Sequence, residues 1–180
     1  MGDPLLLDYH DAEWGRPVTD DAGLFERLSL EGFQSGLSWL VILRKRPAFR
    51  LAFADFDPAA VASFTDDDAE RLLGDAGIVR NRQKIAATIA NARVLTEMDE
   101  SLSTLLWSFA PPARDRPTGP GDVPAVTAGS TAMAKALRKR GFRFVGPTTC
   151  YALMEAVGMV DDHLAGCSAP AVPGLGGTGA

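Results

Sequence analysis

Apolar residues recur at helical spacing along nearly the whole chain, and this periodicity constrains the fold more than any other feature. Leu24, Phe25 and Leu28 lie on one face of a helix, and the same spacing returns over residues 81–98. No stretch alternates apolar and polar residues as a half-buried strand does, and no internal repeat is present. The pattern therefore predicts an all-α protein.

Capping residues and prolines predict where the helices begin and end. Asp20 or Asp21 caps the first helix, Asp57 precedes a proline at a helix start, and Thr65 forms a capping box with Asp68. Further helices are expected over 39–49, with an end near 50–53, and over 81–98, 102–109, 130–140 and 147–157. Five prolines together with Gly119 and Gly121 predict a loop or lid over residues 111–129.

Length and composition restrict the class of protein. A chain of 180 residues that is 46% hydrophobic builds one domain, which we place over residues 1–167, followed by a flexible tail over 168–180. No apolar run approaches the ~20 residues of a membrane span, so we expect no membrane partner. We also expect a monomer in the cytoplasm. Two cysteines, Cys150 and Cys167, exclude a disulfide framework and a four-cysteine iron–sulfur cluster.

Basic residues are clustered although the net charge is −5. Ten of the 18 basic residues lie in three short clusters, 44–46, 80–84 and 138–143. Such clusters form a basic face that suits a polyanion, but three solvated helix ends would produce the same pattern.

The third cluster belongs to a segment with the pattern of a helix-hairpin-helix element. Two predicted helices are joined by an apolar hairpin that has Gly141 at one end and Gly146 at the other. The backbone amides of such a hairpin contact a phosphate, and flanking cations add sequence-independent affinity. An ordinary corner between two core helices is the alternative. The predicted DNA-binding residues are Arg138, Lys139, Arg140, Arg143, Val145 and Gly146.

Glu31 is the first candidate for chemistry. It lies three residues after Leu28 on the apolar face of a predicted helix, where a carboxylate needs a partner or its pKa rises. Gln34 lies on nearly the same face, and two glycines, Gly32 and Gly36, are expected to break the helix beside Trp39, which leaves room for a flat ligand. A buried Glu with purely structural hydrogen bonds would have the same sequence pattern.

The two histidines lie near opposite ends of the chain. His10 lies between Tyr9 and Trp14, and His163 precedes Cys167 by four residues, a spacing found among metal ligands. Core histidines satisfied by hydrogen bonds are the alternative.

Five segments in chain order resemble the 3-methyladenine DNA glycosylase I family of the helix-hairpin-helix glycosylase superfamily. The matching segments are 9–15 (Tyr-His-Asp-x-Glu-Trp-Gly), 30–39, 75–80, 139–146 and 162–167. The resemblance implies a bilobal helical domain that flips a damaged adenine out of double-stranded DNA. The enzyme then hydrolyses the N-glycosidic bond without an organic cofactor. A non-catalytic helix-hairpin-helix DNA-binding protein is the alternative, and a metal-dependent hydrolase is another.

The resemblance also implies roles for individual residues. Glu31 is the catalytic carboxylate that contacts the methylated base, and the turn at Gly36 and Leu37 lies near the gap left by the flipped nucleotide. The implied pocket residues are Tyr9, Trp14, Gln34 and Trp39. A base methylated at N3 is cationic, so an anionic Glu beside aromatic rings favours it over neutral adenine.

Asp161 is open to two interpretations. Val160-Asp161-Asp162-His163 matches the string that carries a catalytic aspartate in the wider superfamily, whereas the 3-methyladenine group is described as working without it. Asp161 either stabilises positive charge on the sugar or supports His163, and we favour the second role.

The family carries a structural zinc ion, for which this chain has three of the four ligands, His10, His163 and Cys167. Residues 1–7 lack the cysteine and the tryptophan that the family has before its Tyr-His motif. Zinc held more weakly and a zinc-free contact made by hydrogen bonds both remain open, and in either form we expect a structural role only.

Overall fold

The structure, a computed structural model, describes residues 2–170, so most of the predicted tail over 168–180 lies outside the described residues. It confirms the all-α class: within residues 2–170 there are nine α-helices and no strand. The helices are α1 Pro4–Ala12, α2 Asp21–Gln34, α3 Trp39–Ala52, α4 Pro58–Ala62, α5 Asp66–Gly74, α6 Arg82–Glu97, α7 Leu102–Trp107, α8 Ala128–Lys139 and α9 Pro147–Ala156.

Most predicted caps are present. The Asp20 carboxylate accepts a hydrogen bond from the Gly23 amide at 2.7 Å, and the Asp57 carboxylate accepts one from Ala60 at the same distance. Thr65 forms the predicted capping box at the start of α5. Each such cap stabilises its helix by about 1 kcal/mol, so local sequence determines these starts.

One helix was missed, and several helix ends lie one or two residues from their predicted positions. Helix α1 was not predicted, although Asp3 caps it and Pro4 occupies its first position, which is a favourable arrangement for a helix start. Helix α3 ends at Ala52, within the predicted 50–53, and contains Pro47. Gly32 lies inside α2 and does not end it, and α8 begins at Ala128 because Thr127 provides the cap.

Helix α2 lies at the centre of the core. Leu24, Phe25, Leu30 and Phe33 are at most 1% exposed, and α2 packs against α9, α3, α6 and α7. Glu31 lies between two of these core residues, which explains why a carboxyl group is drawn into the interior.

The predicted loop is confirmed over residues 111–127, apart from one short 3₁₀ turn at Pro120–Asp122. Arg114 pairs with Asp162, and the Arg116 guanidinium donates to an Asp161 oxygen at 2.8 Å. The loop is therefore fastened across the segment that follows α9.

Among residues 2–170, no helix is long and apolar enough to cross a membrane.

Candidate active site

A cavity of about 260 Å³ opens between α1, α2, α3 and α9. All five residues predicted for the catalytic pocket line it, together with two from α9. The lining residues are Tyr9, Trp14, Glu31, Gln34, Trp39, Ala152 and Glu155. Three separate segments therefore deliver the predicted residues to one place.

Glu31 is a buried acid without a compensating partner. Glu31 is 6% exposed, and burial raises the pKa of its carboxyl to about 8. The positive charge of Arg27 lowers this pKa, but by less than burial raises it. Within the described chain, no hydrogen bond contributes to this pKa. The geometry therefore lacks the hydrogen bonds that the purely structural interpretation of Glu31 requires.

Two arginines near the pocket are paired with a different acid: Arg27 acts on the Glu31 charge, and Arg46 lies 5.9 Å from the Tyr9 ring centroid. Arg46 donates two hydrogen bonds to the Glu13 carboxylate, at 2.6 and 2.5 Å, and Arg27 donates a third at 2.9 Å. The Arg46 hydrogen bonds, with help from Arg27, outweigh burial and lower the pKa of Glu13 to about 2. Glu13 thus neutralises much of the nearby positive charge, which leaves Glu31 available to an incoming cation. Sequence analysis did not identify this network, because its members are far apart in the chain.

Aromatic rings form the sides of the cavity. The ring centroids of Tyr9 and Trp39 are 5.4 Å apart, and the Trp39 indole Nε1 is buried without a hydrogen-bond partner among the described residues. Trp14 stacks on His10 at 5.8 Å on its other side. Ring faces beside a carboxyl group suit a flat cationic ligand.

Glu155 is a pocket residue that sequence analysis missed. It is the one charged residue of helix α9, and that isolation in an apolar helix was an available signal. Burial, followed by the nearby Asp162 and Glu31 carboxyls, raises the pKa of Glu155 to about 8. The cavity therefore has two acids, on α2 and α9, whose protonated forms both persist near neutral pH.

Asp162 connects Glu155 to the loop over residues 111–127. Its side chain is fully buried, accepts a hydrogen bond from the Tyr151 hydroxyl at 2.6 Å and pairs with Arg114. Arg114 also donates to the Tyr151 hydroxyl at 3.2 Å. The loop thus supplies the cation that stabilises a buried carboxylate behind the pocket.

Asp161 does not line the cavity. One of its carboxylate oxygens lies 2.8 Å from His163 Nδ1, and the other accepts a hydrogen bond from Arg116. Burial opposes ionisation of Asp161, but the hydrogen bonds from His163 and Arg116 outweigh it and lower its pKa. Both oxygens are therefore occupied by structural partners.

The three predicted metal ligands lie close together; we call His10, His163 and Cys167 the clasp. His10 Nε2 is 3.6 Å from Cys167 Sγ, and the two imidazole centroids are 5.0 Å apart. The second nitrogen of His163, Nε2, is buried with no partner in the described structure. The donor chemistry and this unpaired nitrogen fit a zinc ion. As placed, however, no three His, Cys, Asp or Glu side chains within residues 2–170 are arranged to hold a metal.

The hairpin between α8 and α9 has the predicted form. Phe142 and Val145 are buried, so Val145 can offer only its backbone to a ligand, while Gly141 adopts φ +100°. Phe144 has φ +57°, which is unusual for an aromatic residue, and is 41% exposed. Lys139 is exposed. The conformation leaves the hairpin tip accessible.

The predicted cations around this hairpin differ in their surroundings. Arg143 is exposed, whereas Arg140 pairs with Glu100 and the Arg138 Nε donates to the Ala134 carbonyl at 3.2 Å. Arg138 and Arg140 therefore have partners within the protein.

The turn after α2 connects the cavity to the surface. Gly36 adopts φ +81°, and Leu37 is 39% exposed on a tight turn. Gln34, which lines the cavity, donates from Nε2 to the Leu37 carbonyl at 3.1 Å. An apolar side chain is thus presented beside the mouth of the pocket.

Comparison with known proteins identifies relatives over almost the full length. The sequence profile of the family described as Methyladenine glycosylase matches residues 1–170. DNA-3-methyladenine glycosylase 1 of Escherichia coli (strain K12) is 48% identical over 170 residues, which cover 92% of this chain and 91% of the relative.

Solved structures share the fold. A crystal structure of a 3-methyladenine DNA glycosylase I superposes with a TM-score of 0.90 at 47% identity, covering 93% of this chain and 95% of that one. The Staphylococcus aureus enzyme, solved to show how it recognises 3-methyladenine, superposes with a TM-score of 0.89 at 37% identity. That match covers 94% of this chain and 93% of the other.

Proposed function

Since the chain belongs to the methyladenine glycosylase family, we propose that it excises 3-methyladenine from alkylated double-stranded DNA by hydrolysing the N-glycosidic bond. The observation that carries the proposal is Glu31, a buried and uncompensated carboxyl facing aromatic rings in an open cavity. Such a group gains a partner only when a cation enters.

The proposed reaction begins with extrusion of the damaged nucleotide, which costs a few kcal/mol and is least for a base that stacks or pairs poorly. The flipped cationic base lies against Tyr9 and Trp39, and its charge stabilises the ionised form of Glu31. Neutral adenine offers no such charge, so the buried carboxyl discriminates against it.

Bond cleavage needs little acid catalysis. The methylated base leaves as a neutral molecule when it takes the electron pair of the glycosidic bond. Water adds to the sugar carbon and gives its proton to solvent, which leaves an abasic site. We assign to Glu31 the role of stabilising the bound base, and to Trp14, Gln34 and Glu155 the remaining walls of the pocket.

We assign Asp161 to support of His163 rather than to the sugar. This assignment is supported by its position outside the cavity lining and by the two partners that occupy its carboxylate.

The proposed DNA partner meets the hairpin and the turn at Gly36 and Leu37. Hairpin amides, together with exposed Lys139 and Arg143, suit phosphates, and Leu37 suits the gap left by the extruded nucleotide. We propose that a single domain over residues 1–167 acts as a monomer in the cytoplasm.

We propose a structural role for the clasp, with zinc as its ligand and no organic cofactor. The unpaired Nε2 of His163 and the carboxylate that holds its Nδ1 support this, because a carboxylate commonly orients a zinc-bound histidine. When bound, the ion would join the start of the chain to the segment after α9.

The test is base release from methylated duplex DNA, with the released base identified by chromatography. We expect 3-methyladenine as product and abasic DNA as the other product. Duplex binding without release would favour the non-catalytic DNA-binding alternative. Release that a chelator abolishes while the protein stays folded would favour a metal-dependent hydrolase.

A further inference from the structure

Helix α6 carries a row of buried polar side chains. Lys84, Thr88 and Asn91 are spaced four and three residues apart, so they share one face, and each is at most 8% exposed. Buried polar groups nearly always have hydrogen-bond partners. The partners of these three side chains therefore show which segments the row holds in place.

Asn91 holds the hairpin by its backbone. Its Nδ2 donates to the Arg143 carbonyl at 3.0 Å, and its Oδ1 accepts from the Arg143 amide at 2.7 Å. The same helix supports Gly141, where a Cβ atom would lie 3.3 Å from Val94 Cγ2. Helix α6 therefore packs beneath the hairpin and is hydrogen-bonded to its backbone.

Lys84, at the other end of the row, holds the end of α2. Its Nζ donates to the Phe33 carbonyl at 2.8 Å and to the Ser35 carbonyl at 2.6 Å. These are carbonyls that a helix end leaves without partners, and the turn at Gly36 follows at once. The position of that turn thus depends on α6 as well.

The two supported segments also meet each other. A Cβ atom on Gly32 would lie 3.7 Å from Phe144 Cβ, so the hairpin packs directly on the last turns of α2. The hairpin, α2 and α6 therefore contact one another pairwise, and the row of polar side chains on α6 makes the contacts of that helix with the other two.

We propose that Asn91 and Lys84 are positioning residues that hold the hairpin (141–146) and the turn (35–37) at one fixed spacing. Phosphate contact and base extrusion then act on the same stretch of DNA. The inference rests on the proposed function, in which both segments meet DNA. Neither side chain lines the cavity, and Asn91 bonds backbone atoms of the hairpin alone among the described residues, so the pocket's affinity for a free base does not depend on Asn91.

The experiment compares Asn91→Ala with Thr88→Val. Thr88 is a matched control, because within residues 2–170 its hydroxyl donates only to the Lys84 carbonyl of its own helix. Binding of methylated duplex, single-turnover release of 3-methyladenine and binding of free 3-methyladenine are measured for each protein. We expect Asn91→Ala to weaken duplex binding about tenfold, as two buried hydrogen bonds would, with free-base affinity within about twofold. Thr88→Val should match the wild type.

Lys84→Met tests the other end of the row. Here we expect single-turnover release at saturating protein to fall about tenfold, more than duplex affinity does, because the loosened turn carries Leu37.

The outcomes separate this inference from the proposed function. Equal duplex binding by Asn91→Ala and Thr88→Val, or a parallel loss of duplex and free-base binding, would overturn the positioning role. Wild-type protein that releases no 3-methyladenine would overturn the proposed function instead. If Asn91→Ala does not fold, Asn91→Ser serves in its place. The serine side chain is shorter and cannot hydrogen-bond to both the carbonyl and the amide of Arg143.

Discussion

The base pocket and the hairpin are both proposed to bind the same DNA, but the pocket does so with buried acids and the hairpin with exposed cations. In the pocket, Glu31 and Glu155 are buried and their pKa values are raised to about 8. At the hairpin, Lys139 and Arg143 are exposed to solvent. A buried acid ionises readily only beside a cation and so selects for a cationic ligand, whereas exposed charges are screened by salt and act on any phosphate. The difference indicates that selectivity resides in the pocket and general affinity in the hairpin.

The largest effect is expected from Glu31→Gln, which at constant shape removes the carboxyl that ionises when the cationic base binds. Release of 3-methyladenine should fall about 100-fold in single-turnover assays, with the fold intact. Asp161→Asn is the matched control, since it changes a carboxylate outside the cavity. Near-normal excision by Glu31→Ala would refute the assignment, and a comparable loss in Asp161→Asn would move the chemistry to Asp161.

The raised pKa of Glu31 predicts a pH dependence of stability. Between about pH 4.5 and pH 8 the unfolded chain ionises this group while the folded protein keeps its proton. The folded state then binds more protons, so the free energy of unfolding falls as pH rises through this range.

Urea unfolding at pH 5 and pH 8 measures this effect. Glu31→Gln should lose less stability over the interval than the wild type, by about 3 kcal/mol. Asp68→Asn, at an exposed cap, serves as a control for altered net charge. Identical losses in Glu31→Gln and wild type would show that Glu31 is ionised in the free protein.

A smaller effect is expected at the hairpin. Replacing Lys139 and Arg143 together by Ala should weaken duplex binding about tenfold and lower the slope of log affinity against log salt by about 2. Arg140→Ala should change the slope less, because Glu100 already pairs with Arg140. An unchanged slope in the double variant would place the DNA-binding face elsewhere.

The smallest effect on catalysis is expected from the clasp. Metal analysis of the purified protein measures zinc occupancy, and chelation should lower the melting temperature by several degrees. Excision by the still-folded protein should change by less than about twofold, since the rings of His10 and His163 contact Trp14 and neither histidine lines the cavity. A lost rate at unchanged melting temperature would contradict the structural role.

Local sequence predicted much of the helical framework. Asp20, Asp57, Thr65 and Ser101 begin helices where their side chains can satisfy free amides, a choice made within four residues. The helical period likewise placed Glu31 on the buried face of α2. The missed helix α1 had the same kind of cap, at Asp3, so local information sufficed there too.

The sequence by itself determined the all-α class, most helix starts and the burial of Glu31, because these depend on neighbours within about two turns of a helix. Only the tertiary structure decided which charges are neutralised. Glu13 forms ion pairs with Arg27 and Arg46, and Asp162 forms one with Arg114. Glu155 and Glu31 line the same cavity. Partners 14 to 48 residues apart meet only after α2, α3 and the loop have packed. The electrostatics of the pocket are thus a property of packing, which no local spacing encodes.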